Sequence, residues 1–187
     1  MNIHAAPVVS EEGPCIIGSL YYGDDERVAE FVSSRIPHMI GSRFGERNPF
    51  TGQLPYAAIG VVRKSELVGG IVFYNYRSVR GQIVDIEMSG AFEASDWCRP
   101  STLRALFSYP FSVCEAVRLT TITGRKNKRA RRVDEGLGFK LEGVARRAID
   151  GREDAMIYGM LREECYWVDK SAPRPPVFNL SRNKPQE

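Results

Sequence analysis

RLTTITGRKNKRARRVDEGLGFKLEG, residues 118–143, reads as a strand, a basic helix and the opening of another strand. The run at 117–124, with three threonines alongside Val117, Leu119 and Ile122, favours extended backbone. Beyond it, Asn127, Ala130, Val133, Asp134 and Leu137 recur at helical spacing and form one stripe, while six cations between Arg125 and Arg132 fan around the rest. Gly138 is the expected C-cap. A basic run of this kind can grip nucleic acid, grip a phosphorylated small molecule, or form a solvated helix face.

The charge balance narrows that choice. Net charge over the 187 residues is only +3, far from the excess of a DNA-coating protein, so the basic charge is local. A chain of this length is one domain with room for a tail, and it buries about 70% of its unfolded surface without a metal or disulfide staple. Composition is that of a globular protein, 43% hydrophobic and 26% charged. The four cysteines, at 15, 98, 114 and 165, lack C-x-x-C spacing, which fits a reducing compartment and argues against a zinc site. His4 and His38 each lack a second ligand at metal spacing, so no metal is expected. Without a signal-peptide pattern or an apolar run of membrane length, the expected location is the cytoplasm, with no membrane partner.

Working outward, residues 1–14 are expected to be loosely ordered, and CIIGSLYY (15–22) reads as one short strand. A helix is expected over 24–36 and an irregular segment over 37–55, of a length that often carries function. YAAIGVVRK and ELVGGIVFYNYR form a hairpin around Ser65, and GQIVDIEMSG (81–90) is a third adjacent strand. Along that strand Ile83, Asp85 and Glu87 share one face. RPSTLRALFSYPFSVC (99–114) is a helix burying Leu103, Leu106, Phe107 and Phe111, which Pro110 should end or kink. Two further strands flank the turn DGRED, and a Pro-rich, basic tail occupies 169–187. The order predicts an α/β fold with helices on both faces of a mixed, mostly antiparallel sheet of six or seven strands.

SELVGGIVFY (65–74), RALFSYPF (104–111), the stretch 118–143 and DGREDAMIYGMLREECYW (150–167) together resemble the GNAT superfamily of N-acetyltransferases. The nearest branch resembles the ribosomal-protein N-terminal acetyltransferases and their phage-encoded relatives, over residues 15–168. The resemblance implies transfer of an acetyl group from acetyl-CoA to an amine, with a protein or a small molecule as acceptor. It also leans towards a phage or bacterial origin.

Such chemistry needs a base for the ammonium, donors for the oxyanion and a site for phosphates. The resemblance implies Glu87 as base, with Asp85 as the other candidate, on the strand matching the family's splayed one. It implies that the backbone of Met88, Ser89 and Gly90 pairs with the pantetheine arm, that Asn127 points at that arm, and that cations such as Arg129 reach the phosphates. The sequence departs from the family in FEASDWCRPSTLRAL, where the usual glycine loop is missing and Trp97 and Arg99 replace small residues. Arg99, Ser101 and Thr102 at the helix N-terminus are the candidates to hold the pyrophosphate instead. Asp134 stands where many members carry a tyrosine that protonates the thiolate. An ionised aspartate cannot donate that proton, so a water, another side chain or unassisted departure has to serve.

The alternative is a catalytically impaired GNAT-fold binding or regulatory protein acting on a host protein or nucleic acid. Against nucleic acid stands the small net charge. Exposed aromatics in YPF and CYW are expected to permit a homodimer.

Overall fold

The computed structural model describes residues 14–39 and 44–168. His4 and the expected loose segment and tail, at 1–13 and 169–187, lie outside them. Eight strands form one sheet: β1 (Cys15–Ile17), β2 (Leu20–Tyr22), β3 (Ala57–Arg63), β4 (Glu66–Val79), β5 (Gln82–Phe92), β6 (Arg118–Gly124), β7 (Lys140–Ala145) and β8 (Ala155–Leu161), in the order β1-β2-β3-β4-β5-β6-β8-β7. Three α-helices accompany them: α1 (Asp25–Ser33), α2 (Pro100–Ser108) and α3 (Lys128–Leu137). The eighth strand arises where one was expected at 15–22. The chain enters the left-handed region at Gly18 (φ 63°) and doubles back, so that Ile17 pairs with Leu20.

Tight turns set the register of the central meander. Lys64 and Ser65 both hold positive φ between β3 and β4, and Arg80 and Gly81 do so between β4 and β5. Two consecutive left-handed residues give the turn whose twist matches paired strands. Every neighbouring pair is antiparallel except β5 and β6, which run parallel because α2 crosses over between them.

The sheet has a core on each face. On one, Val28, Phe31 and Val32 of α1 pack on Ala58, Val62 and Val72. Close approach of α1 depends on Gly60 and Gly70, which pair across β3 and β4. A Cβ on Gly70 would come 2.6 Å from Val28 Cγ1, and one on Gly60 3.1 Å from Val28 Cγ2. On the other face Leu103, Leu106 and Phe107 of α2, with Leu137 and Phe139, cover Ile71, Phe73, Ile86 and Leu119.

Pro110 widens α2 rather than ending it. Its ring cannot sit in a normal helical turn. The chain continues as a π turn over Tyr109–Val113, closed by the Cys114 amide donating to the Tyr109 carbonyl at 2.9 Å. That wider turn corrects the expectation of exposed aromatics in YPF: Tyr109 joins Phe111, buried as its place in the helix stripe predicted, in the core, and the Tyr109 and Tyr76 hydroxyls meet at 2.9 Å. In CYW, Tyr166 is exposed over the ring, but its hydroxyl donates to the Gly136 carbonyl and Trp167 Nε1 donates to the Leu137 carbonyl. Both therefore satisfy carbonyls at the end of α3. Among the described residues no helix is long and apolar enough to cross a membrane.

Gly70→Ala should lower stability by about 1–3 kcal/mol, because the added methyl overpacks the α1 contact. Urea unfolding of the purified variant against the native chain measures it.

Candidate functional site

The parallel joint between β5 and β6 is short. Asp85 faces Arg118, Ile86 faces Leu119 and Glu87 faces Thr120, and there the pairing ends. Beyond it β5 continues through Met88–Phe92, bonded only to β4, while β6 continues through Thr121–Gly124, bonded only to β8. The strands part, and a cleft of about 800 Å³ lies in the gap. Its walls come from Met88–Glu93, from Trp97, Leu103 and Phe107, from Thr121–Gly124, and from α3. Arg35–His38, Ile149, Asp150 and Glu153 stand at its mouth.

Asp85 is occupied in the joint itself. Its Oδ2 accepts from Arg77 Nη2 at 2.8 Å, and its Oδ1 accepts from Thr120 Oγ1 at 2.8 Å with Arg118 Nε 3.3 Å away. Arg118 reaches on to Glu142 at 2.7 Å. This network spans β4, β5, β6 and β7 and leaves the buried Asp85 carboxylate without a free oxygen. Glu87 shares that face of β5 and is the last residue before the strands part. It is half-buried. Loss of water raises its carboxyl above the ordinary range, against a hydrogen bond from Asn75, and the neighbouring Asp85 adds to the rise.

Of the residues expected to meet a cofactor, Met88, Ser89 and Gly90 line the cleft from β5, and Asn127 and Arg129 line it from α3. Asn127 serves first as the helix N-cap, its Oδ1 accepting from the Ala130 amide at 3.1 Å, so it sits exposed at the rim rather than facing inward. Arg99, Ser101 and Thr102 do not line the cleft. Thr102 is buried, with its hydroxyl 3.3 Å from that of Ser19, while Arg99 and Ser101 are exposed. Where a glycine loop was expected, Trp97 stacks on Phe92 with centroids 4.4 Å apart and forms part of the cleft wall.

The six cations of the basic segment divide by partner. Arg125 pairs with Asp154 at 3.1 Å, and Arg131 Nε donates to the Tyr158 hydroxyl, which donates to Glu135. Lys126, Lys128, Arg129 and Arg132 are exposed, with no ion pair among the described residues. Of these, Lys126 and Arg129 line the cleft beside the N-terminus of α3, an electrostatic setting suited to an anion.

Asp134 departs furthest from its sequence expectation. It lies on the apolar stripe of α3, is 8% exposed, and lines the cleft. Thr123 Oγ1 donates to its Oδ2 at 2.8 Å. Thr121 Oγ1 is turned towards the same carboxyl, is buried, and makes no well-formed hydrogen bond. Burial pushes the Asp134 carboxyl up to about 6, against the two threonine hydroxyls, with Glu135 adding to the rise. The group is held much closer to neutrality than an ordinary aspartate. Thr121 and Thr123 were not singled out from sequence, although the alternation in TTIT puts both on one face, opposite Ile122.

No family model matches the sequence, and no curated protein matches it. Solved structures do. A GNAT-family acetyltransferase from Bacillus anthracis is 20% identical, with a TM-score of 0.54 over 81% of this chain and 99% of that one. Ribosomal-protein-S5-alanine acetyltransferase from Vibrio fischeri is 12% identical, with a TM-score of 0.56 over 82% of this chain and 99% of that one. Mutant forms of the spermidine/spermine N-acetyltransferase from Vibrio cholerae match at 15% identity and a TM-score of 0.50, over 59% of this chain and 69% of that one. At these identities the likeness is one of fold, and the chain has the GNAT fold.

Two substitutions separate clasp from cleft. Asp85→Ala should cost about 2 kcal/mol or more in urea unfolding, since it strips a buried carboxylate from two arginines and a threonine. Asp134→Asn should do the reverse at neutral pH. In the folded chain its carboxyl, at about 6, lies above the ordinary aspartate value of 3.8. The neutral form is therefore favoured by folding, and stability is lost as pH rises from about 4 through about 6. An asparagine avoids that loss, up to about 3 kcal/mol. Thermal unfolding should show the variant more stable at pH 7.5, with the gap closing below about pH 4.

Proposed function

We propose that the protein is an N-acetyltransferase that moves an acetyl group from acetyl-CoA to a primary amine, at a protein N-terminus or on a small molecule. The parting of β5 and β6 after a three-pair joint carries this reading. It exposes one backbone edge of Met88–Gly90 inside a cleft large enough for an extended cosubstrate, next to Glu87, which forms the last pair of the joint and does not itself line the cleft.

In this reading the free edge of β5 aligns the pantetheine arm by backbone hydrogen bonds, and an N–H from the same edge stabilises the oxyanion. Lys126, Lys128, Arg129 and Arg132 hold the phosphates in place of the missing glycine loop. Glu87 takes the proton from the acceptor ammonium, since only the free amine attacks. Asp85 keeps the joint closed and leaves that duty to Glu87. The neighbours act on amines of two kinds, the alanine of ribosomal protein S5 and the polyamines spermidine and spermine. Both kinds fall within the acceptor class proposed.

One observation favours a second reading, a catalytically impaired binding protein acting on a host protein or nucleic acid. The Trp97–Phe92 stack fills the wall where a glycine loop was expected, and Arg99, Ser101 and Thr102 do not line the cleft.

Calorimetric titration with acetyl-CoA discriminates between them. Micromolar binding, weakened roughly tenfold by Arg129→Ala, is expected for the enzyme, and the loss of one phosphate contact corresponds to about 1.4 kcal/mol. Glu87→Gln should then lower kcat about 100-fold with binding unchanged. Absence of binding below millimolar concentration would sink the enzyme. A gel shift that weakens steeply between two salt concentrations would favour nucleic acid instead.

A further inference from the structure

We propose that the acceptor is a peptide whose free N-terminal amine is followed by acidic residues, and that Arg146, Arg147 and Arg152 on the turn between β7 and β8 select it. The inference rests on the acetyl-transfer reading and narrows its acceptor class.

The cleft opens on both faces of the sheet. Thr121 and Thr123 line it on the α3 side, where Thr123 meets Asp134, and Ile122 between them lines it on the other side. That other side is the α1 face. Tyr74 packs on the α1 core, and Glu87 is its cross-strand partner, so both point to that face. An amine therefore reaches Glu87 from the α1 face, past Arg35–His38, which follow α1. Lys126 and Arg129 line the cleft from α3, on the side left to the cosubstrate.

The β7–β8 turn stands at the mouth, with Ile149, Asp150 and Glu153 in the wall. Its acids are engaged by backbone amides. Asp150 accepts from Arg152 and Glu153 at 2.9 Å each, Asp154 from Arg147 at 3.0 Å, and Glu153 from Lys126 at 2.6 Å. Asp154 also pairs with Arg125. The arginines of the turn have no such partners. Arg146, Arg147 and Arg152 are exposed and make no ion pair among the described residues. The turn that carries them is pinned. Arg147 and Gly151 hold positive φ of 57° and 78°, and the Arg125–Asp154 and Lys126–Glu153 contacts tie it to the start of α3. The two amides on Asp150 hold its carboxyl below the usual range, so it stays ionised at the mouth.

One carboxylate at the mouth, with three unpaired guanidinium groups on the same turn, suits a ligand with one cation and several anions. Asp150 draws in the ammonium, and carboxylates further along the peptide meet the arginines through paired N–H donors. Spermidine carries only cations and is repelled by the same arginines. A nucleic acid carries no ammonium and brings phosphates against Asp150. Charge arranged in this way sets partner choice more than raw affinity.

The test uses the full chain with acetyl-CoA and follows release of the coenzyme thiol. Three peptides share an N-terminal alanine and differ in the residues that follow, which are acidic, all alanine or all lysine; spermidine is the fourth acceptor. kcat/KM for the acidic peptide should exceed that for the neutral one about tenfold, exceed the other two by more, and lose most of this lead at high salt. Reversing the charges by Arg146→Glu, Arg147→Glu and Arg152→Glu together should raise KM for the acidic peptide about tenfold and hand the preference to the lysine peptide. It should leave kcat, and acetyl-CoA affinity by calorimetry, within about threefold. Arg146→Lys, Arg147→Lys and Arg152→Lys together should keep the acidic preference. The proposal is overturned if the lysine peptide or spermidine matches the acidic peptide, or if the preference survives charge reversal. It is also overturned if charge reversal weakens acetyl-CoA binding more than about tenfold, which makes the arginines cosubstrate contacts. Competition with the acidic peptide by a single-stranded oligonucleotide at equal concentration assigns the surface to nucleic acid and overturns it too. A native chain that binds no acetyl-CoA, or acetylates none of the four acceptors, overturns the acetyl-transfer reading and the proposal with it. Transfer without acidic preference overturns the proposal alone.

Discussion

A parallel joint of three residue pairs between β5 and β6 governs the molecule. Parallel strands cannot be linked by a hairpin, so α2 and its π turn are required to carry the chain from one to the other. The joint would be a weak point between two antiparallel halves, β1–β5 and β6–β8. Asp85 compensates by binding Arg77, Arg118 and Thr120 at once, with Glu142 reached through Arg118. Charge pairing that would add little on a surface is sheltered here, where Asp85 is buried. Where the clasp ends, the strands separate and the cleft begins.

The cleft wall gives up stability that a structural wall would keep. A buried aspartate without a cation, a buried threonine hydroxyl without a well-formed partner, and a half-buried glutamate are each unfavourable. Glu87 and Thr121 lie at or next to the last rung of the joint, and Asp134 meets β6 beyond it, at Thr123. Elsewhere on that face the core is apolar and aromatic, built from residues such as Phe73, Phe107, Phe111 and Phe139. Among the described residues the other buried side-chain polar atom without a hydrogen-bond partner is Arg118 Nε, in the clasp itself, so the unsatisfied groups gather along the joint and just beyond it.

The basic helix is held in place from both ends. Asn127 caps its start, and Arg125 and Lys126 bind the β7–β8 loop through Asp154 and Glu153. Tyr166, Trp167 and left-handed Gly138 satisfy carbonyls at its end. So anchored, α3 fixes Asp134 against β6 and leaves four cations free of ion pairs among the described residues.

Much of this was legible in the residues themselves. Period-2 and period-3.6 patterns located the strands, the α2 stripe and the basic helix, because which face of an element is buried is a local property of the chain. Gly138 announced the end of α3 by the same local logic. The doubling of β1 and β2 at Gly18 was less visible, since a two-residue turn leaves an eight-residue apolar run looking continuous. Where side chains from distant elements meet was not legible at all. The burial of Tyr109 depends on a widened helical turn, the occupation of Asp85 on arginines 8 and 33 residues away, and the raised Asp134 carboxyl on being pressed against β6. Desolvation and hydrogen bonding act through space. Sequence alone determined that these carboxylates exist and which elements bear them, whereas only the tertiary structure decided which is clasped, which is half-exposed and which is deprived of water.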